Sequence, residues 1–308
     1  MYFITFITEG HPYDNGFNLT DVGEKIKSKL SPYFEEVFVF TKRTLKELGG
    51  SEEVCNSYPE PLDNNPNANH VGYFDFKPFL IKHILNKVPQ GSLVLYHDGN
   101  FQKNPHYFDS DWKNIEKISE NLLADNQTDV WVQVEREITL VKEHVKRLTL
   151  SEVVGNEDEV NLALNSRLLN AARILVRNTL FAQNFVNDYL TLCLNKRLVQ
   201  KFPDDNRDPY AKNYCGDQDV LNALVYKYIF DGKFIPEFPK YSFGDRVISD
   251  NKVIGKDGIN RGGKKFLLNE NVIEYMKSNK YVLNIEHRIP SSPEQFQRWW
   301  DQEFKSNL

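Results

Sequence analysis

The stretch Gly91-Ser-Leu-Val-Leu-Tyr-His-Asp-Gly-Asn100 decides how this chain is read. Leu93 to Tyr96 is a short apolar run that stops abruptly at polar residues. Runs of this length bounded by turn formers suit a buried central strand of a parallel sheet, and ligands of open α/β sheets gather at the carboxyl ends of such strands. The strand therefore delivers Asp98 to the edge where chemistry is expected.

Upstream of it, Phe79 to Val88 has helical spacing, and Pro78 near its start is tolerated in a first turn. Further back, Tyr2 to Thr8 alternates as a first strand, Asp21 to Leu30 repeats Val22, Ile26 and Leu30 at helical spacing, and Val37 to Phe40 is a second buried strand. Strand, helix, strand is the opening of a nucleotide-binding α/β fold. The intervening Gly49 to Asn69 is rich in Pro, Asn, Ser and acids and reads as a surface loop.

Downstream, the pattern gives a loop over Phe101 to Asp111, a helix over Trp112 to Leu123 and a strand over Asp129 to Val134. One or two helices follow before Glu159, with an acidic turn at Gly155 to Glu159. Leu162 to Leu194 holds helix, strand and helix in some order, with Arg173 to Arg177 as the strand, and Gln218 to Phe230 is another helix. Gly244 to Gly263 contains five glycines and reads as hairpins or a mobile loop. Tyr281 to Ile285 is a late strand, and a final helix from Pro293 carries Phe296, Trp299, Trp300 and Phe304, for which packing on the core is the default and a sugar or partner platform the alternative. The expected fold is α/β, a mostly parallel central sheet with helices on both faces.

Composition narrows the partners. The 308 residues have the apolar (40%) and charged (26%) fractions of an ordinary soluble domain. A formal charge of −5 argues against a nucleic-acid binder, which carries a basic surplus. Cys55, Cys193 and Cys215 are odd in number and lack metal-ligand spacing, so a reducing compartment is the simpler reading. The apolar amino terminus is short, without a basic leader or cleavage site, and no stretch approaches bilayer-spanning length. The expectation is a soluble cytoplasmic protein without a transmembrane segment, any membrane contact being peripheral or through a partner.

Three stretches carry chemistry. In Asp98-Gly-Asn100, a carboxylate followed two residues later by an oxygen-bearing side chain places two hard ligands on a divalent cation that bridges nucleotide phosphates; the plainer alternative is a turn. In Gly216-Asp217-Gln-Asp-Val-Leu-Asn222, two acids flank an amide at the mouth of a helix. A capped helix start accounts for Asp217 and leaves Gln218 and Asp219 unexplained. Arg261-Gly-Gly-Lys-Lys265 puts basic side chains, Lys264 among them, on a glycine-rich backbone that could close over a diphosphate or be a solvated hairpin tip.

Taken jointly, a strand ending in Tyr-x-Asp-x-polar at Tyr96 to Asn100 and the later Asp-Gln-Asp-Val-Leu-Asn resemble nucleotide-sugar glycosyltransferases of the GT-A fold, especially the glycogenin-like and bacterial galactosyltransferase group. Gly72-Tyr-Phe-Asp-Phe-Lys-Pro-Phe79 is similar to the Gly-Tyr-Trp-x-Trp-Lys-Pro-Tyr segment of bacterial and viral relatives. The resemblance implies a single GT-A-like domain over 1–308, with residues 1–135 as its nucleotide-binding half and 136–308 as an acceptor half ending in a helix. It places Thr5 and Thr8 near the base and ribose, although β-branching alone suits both to a strand. Lys77 would face the donor phosphates, or else be a solvated helix start. Asp98 would contact metal or ribose, with Asn100 where the second acid of Asp-x-Asp usually stands. Asp217, Gln218 and Asp219 would lie by the transferred sugar and the acceptor hydroxyl. A late histidine completes the metal site in that group, which points to His287, an acceptable Mn²⁺ ligand that is otherwise a surface histidine. His97 should point away from Asp98.

The function implied is transfer of a sugar from a nucleoside diphosphate, UDP by preference, to a glycan hydroxyl, with Mn²⁺ or Mg²⁺ and retention of configuration favoured. Two alternatives stand beside it. A sugar-nucleotide pyrophosphorylase would carry a glycine-rich basic loop after the first strand, which Glu9 to Asn15 does not supply. A non-catalytic carbohydrate-binding protein that kept the sheet and lost the metal is left open by Asn100.

Overall fold

The computed structural model describes residues 1–7, 19–55, 57–59, 69–71, 74–98, 129–134, 140–166, 168–199, 216–231, 247–249, 252–254 and 260–263. Its centre is a five-stranded sheet in the order β2-β1-β5-β7-β6, built from β1 (Tyr2–Phe6), β2 (Glu36–Phe40), β5 (Leu93–His97), β6 (Val130–Val134) and β7 (Leu169–Arg177). The anchoring strand β5 is the middle one, and all five of its residues are buried. It pairs parallel with β1 and antiparallel with β7. Since β6 is antiparallel to β7, it runs with β1, β2 and β5, and β7 alone of these five is reversed. The sheet is mixed and mostly parallel in direction.

Alternation along each strand sorts the core onto two faces. Phe3, Ile7, Leu93, Leu95, Trp131 and Leu175 meet Ile26 and Leu30 of α1 (Leu19–Leu30) on one side. On the other, Ile4, Phe6, Val94, Tyr96, Val132 and Ile174 pack with a larger set of helices. These are α4 (Phe76–Leu85), α5 (Arg147–Val154), α6 (Glu157–Leu164), α7 (Leu180–Leu194) and α9 (Gly216–Phe230). The shorter helices α2 (Lys42–Glu47), α3 (Glu52–Cys55) and α8 (Lys196–Val199) join them on this face through Leu45, Val54, Cys55, Leu198 and Val199. Because α1 covers one face and α4 the other, the connections diverge between β1 and β5. The crevice at the carboxyl ends of two strands so related is where open α/β sheets bind ligands.

Several boundaries differ from the sequence pattern. The helix before β5 starts at Phe76 instead of Phe79, with Lys77 and Pro78 inside its first turn. The Gly49 to Asn69 stretch is not all loop: α3 lies in it, and β3 (Ser57–Pro59) pairs antiparallel with β4 (Asn69–Val71). The strand expected at Arg173 starts four residues earlier, at Leu169. Glu157, Asp158 and Glu159 are not a turn but the first turn of α6, where Asn156 caps the Asp158 and Glu159 amides and three acids face the positive end of the helix. Within the glycine-rich region, β8 (Val247–Ser249), β9 (Lys252–Ile254) and β10 (Asn260–Gly263) form a three-stranded antiparallel sheet. The helices expected at Trp112 and Pro293 and the strand at Tyr281 lie outside the described residues.

One polar corner fixes the end of the sheet opposite the site. The Asn178 amide donates to the carbonyls of Leu85, Val88 and Pro89, at 2.9, 2.9 and 3.2 Å. Its own carbonyl accepts from Gly91, whose φ of +83° suits glycine. The end of α4 and the start of β5 are thereby tied to the end of β7.

Candidate active site

Where β5 ends, three side chains from three elements converge. Tyr96 and Asp98 stand two residues apart and share a face, the one covered by α4 and α9. The first turn of α4 sends the ammonium of Lys77 between two carboxylates, 2.9 Å from Asp217 Oδ2 and 3.2 Å from Asp98 Oδ1. The Ala171 carbonyl of β7 lies 3.4 Å from the same nitrogen. Lys77 is nearly closed off from water at 4% exposure, and a buried ammonium persists only when paired and hydrogen-bonded. Burial favours its neutral form, but Asp217 and Asp98 more than offset this and raise its pKa above the ordinary lysine value.

Two tyrosines complete the shell. Tyr96 donates its hydroxyl to Asp98 Oδ1 at 2.8 Å. Tyr189 on α7 lies 3.2 Å from both the carbonyl and Oδ2 of Asp217. Burial and then the neighbouring carboxylate push both phenols well above their usual pKa, so they remain donors. The Asp217 carboxyl is pushed up to about 6 by burial first, with Lys77 pulling it down and Asp98 pushing it up again. Two carboxylates share one ammonium, which leaves the cluster an excess negative charge that a proton on Asp217 or an incoming cation neutralises.

What aims Asp217 is the seating of α9. Asn222 accepts from the Leu169 amide at 2.8 Å and donates to the Leu169 carbonyl at 3.0 Å, answering one residue of β7 with both ends of its amide. Gln218 accepts from the Ala171 amide at 3.3 Å. Asp219 faces elsewhere: it is buried and takes the Lys146 amide at 3.2 Å, just ahead of α5. The Asp-Gln-Asp triplet thus splits, with Asp217 at Lys77, Gln218 on the edge of β7 and Asp219 at the start of α5.

The other anticipated residues divide in the same way. Thr5 is fully buried in β1, and its hydroxyl oxygen has no hydrogen-bond partner among the described residues. His97 does lie on the opposite face from Asp98, ring-stacked near Phe3 and accepting from Arg173 Nε at 2.9 Å. Thr8, Asn100, Lys264 and His287 lie outside the described residues. Tyr96, Tyr189 and Phe74, whose ring centroid lies 5.0 Å from the Lys77 nitrogen, are not among the site residues expected from sequence, although Tyr96 and Phe74 stand within the quoted motifs. For Tyr96 a signal existed, since it stands two residues before an acid on one strand face. For Tyr189 none did, because its contact crosses elements.

Asp98 keeps 26% of its side chain exposed. With two oxygens and about four lone-pair directions, it retains acceptor capacity beyond Tyr96 and Lys77, which fits one hard ligand for Mn²⁺ or Mg²⁺. Among the described residues no group of three or more His, Cys, Asp or Glu is placed to hold a metal, and Asn100 and His287, the other two residues expected to bind it, lie outside them. Nor, among these residues, is any helix long and apolar enough to cross a membrane.

No protein-family model matches the sequence, and no curated protein matches it. Among solved structures, the chain is similar to mouse xyloside xylosyltransferase 1 in its apo form, at 12% identity and a TM-score of 0.38, over 78% of this chain and 86% of that one. It is also similar to the galactosyltransferase LgtC in complex with donor and acceptor sugar analogues, at 13% identity and a TM-score of 0.33, over 73% of this chain and 70% of that one.

Proposed function

We propose that this chain is a glycosyltransferase that moves a sugar from a nucleoside diphosphate, UDP by preference, to a glycan hydroxyl. The observation that carries the reading is the Lys77 ammonium held between Asp98 and Asp217. It joins the Phe-Lys-Pro segment, the strand-ending Tyr-x-Asp and the Asp-Gln-Asp helix start, the three stretches on which the resemblance rests. They meet at the carboxyl end of a central strand, beside the point where sheet connections diverge.

In this reading Lys77 lies on the donor-diphosphate side of the site and, together with the cation that Asp98 would hold, offsets charge that builds on the diphosphate as the glycosidic bond breaks. A cation fixed before the reaction needs no reorganisation, and preorganised charge is the largest single contribution to many such barriers. Asp98, with Asn100 and His287, would hold Mn²⁺ or Mg²⁺, and such an ion would supply Lewis-acid stabilisation of the leaving phosphate. Lys264 would close over the same diphosphate and Thr8 would lie by the nucleoside, while Thr5, fully buried in β1 between Phe3 and Ile7, backs that end of the sheet without reaching the ligand. Asp217 orients or deprotonates the acceptor hydroxyl, with Gln218 holding the start of α9 on β7 behind it and Asp219, which takes the Lys146 amide, serving to seat α9. Similarity to the glycogenin-like group favours retention of configuration.

Calorimetry with UDP in the presence and absence of Mn²⁺ tests the reading, followed by a screen of UDP-sugars for release of UDP. Binding that strengthens with Mn²⁺ and is lost in Asp98→Ala is expected. Failure of UDP to bind under either condition removes the transferase assignment.

A further inference from the structure

Among the described residues, Phe74 is the one non-glycine with a positive φ, 71°. A bulky aromatic side chain resists the left-handed region, and such strain persists where the surroundings hold it for a purpose. Here it puts the ring beside a cation. The ring centroid lies 5.0 Å from Lys77 Nζ, and the ring meets Phe76 edge-on at 6.1 Å. Phe76 in turn stacks on Phe6 at 4.0 Å, at the end of β1. The aromatic row thus runs from the first strand to the ammonium.

Exposure separates Phe74 from the rest of that row. Lys77 touches Asp98, Asp217, the Ala171 carbonyl and the rings of Phe74 and Tyr96. Asp217, Ala171 and Tyr96 are buried, while Phe74 and Asp98 remain partly exposed. The two groups around Lys77 that stay partly exposed are therefore an aromatic side chain and a carboxylate, each in contact with the same ammonium. A flat apolar surface with one convergent acceptor suits a sugar ring, whose C–H face packs on the aromatic while its hydroxyls donate outward.

We propose that Phe74 is a sugar-recognition residue, its ring packing against the pyranose of the nucleotide-sugar donor while the Asp98 carboxylate borders the same opening. The inference rests on the reading of Lys77 as lying on the donor-diphosphate side of the site. The residue adjoining that diphosphate on the side away from the nucleoside is the sugar, so a ring at the ammonium reaches it.

The test compares binding of UDP, UDP-glucose and UDP-galactose to the full chain with Mn²⁺, for the wild type, F74G and F74Y. Glycine adopts a φ of 71° freely, so F74G removes the ring without backbone strain; if it melts early, F74L carries the same comparison. The wild type is expected to bind at least one sugar nucleotide more tightly than UDP. F74G should lose that advantage, by about fivefold, with UDP affinity changed by less than about twofold, and F74Y should keep it. The inference is overturned if F74G retains the full advantage, if it weakens UDP as much as the sugar nucleotides, or if the wild type shows no advantage while still binding UDP. A wild type that binds none of the three ligands fails the transferase reading itself, before any variant is compared.

Discussion

Lys77 and Asp217 form a buried ion pair, Nζ to Oδ2 at 2.9 Å, with side chains 5% and 2% exposed. Replacing one partner of such a pair strands the other, which costs about 3–5 kcal/mol. Lys77→Met is expected to lower unfolding free energy by that order at pH 7.5, measured in urea, because it leaves Asp217 and Asp98 facing each other without a cation. The loss should shrink at pH 5, where Asp217 takes up a proton. Arginine is not an equivalent here, since its planar fork does not fit a point-charge position.

The raised pKa of Asp217 makes a signed prediction. Between the ordinary aspartate value of 3.8 and the folded value of about 6, the folded chain keeps a proton that the unfolded chain has released. Stability from this group is therefore full at acid pH and falls as pH rises through that window, by about 3 kcal/mol. Lys77 acts in another range: its raised pKa contributes stability that is present below the ordinary lysine value and lost only in strong alkali. Thermal midpoints recorded from pH 4 to 7 should show a smaller decline in Asp217→Asn than in the wild type. If Asp217 is the acceptor's base, turnover also rises with pH through about 6, and the variant lacks that limb.

Asp217 and Asp219 should separate under mutation although they stand two residues apart on one helix. Asp219→Ala removes the acceptor of the Lys146 amide, and an unmet buried donor costs about 1–3 kcal/mol. It is expected to destabilise the chain and leave UDP affinity unchanged, whereas Asp217→Asn, which leaves Lys77 still paired with Asp98, should impair turnover with a smaller effect on folding than Lys77→Met. Equal, mild losses of activity in both would remove both from the chemical step. The readouts are urea unfolding and UDP release, taken on the same preparations.

The parts of this arrangement that were legible in sequence are those set by local periodicity. The apolar run of β5, the spacing of Val22, Ile26 and Leu30, and the acids opening α9 each encode their own element. Direction is another matter. Ile174-Leu-Val176 reads the same in a parallel or an antiparallel strand, so the reversal of β7 carries no local signal. The early start of α4 was hidden because Pro78 marked a first turn whose two preceding residues are also helical. Within the site, Lys77 and Asp98 could be paired in advance through motif order, but the splitting of Asp217 from Asp219 depends on how Asn222 and Gln218 dock α9 on β7. That docking is a long-range contact, which composition and spacing do not reveal.

Tyr96 offers the sharpest test of how Asp98 is held. Its hydroxyl lies 2.8 Å from Asp98 Oδ1, and the ring is fully buried. Tyr96→Phe keeps the ring and its packing against the core and deletes one hydrogen bond to a charged acceptor, worth about 1.5–3 kcal/mol. Part of that loss is recovered, because Asp98 is partly exposed and water replaces the hydroxyl. The expected outcome is a fall in unfolding free energy of about 1 kcal/mol together with a larger effect on ligand binding, since the carboxylate gains rotamer freedom that a bound cation or sugar must remove. Calorimetric titration with UDP and Mn²⁺ should show weaker binding in Tyr96→Phe, with Tyr189→Phe as the matched control that leaves Asp98 untouched. If both variants bind UDP and Mn²⁺ as the wild type does, the tyrosine acts on packing alone and Asp98 is positioned by Lys77.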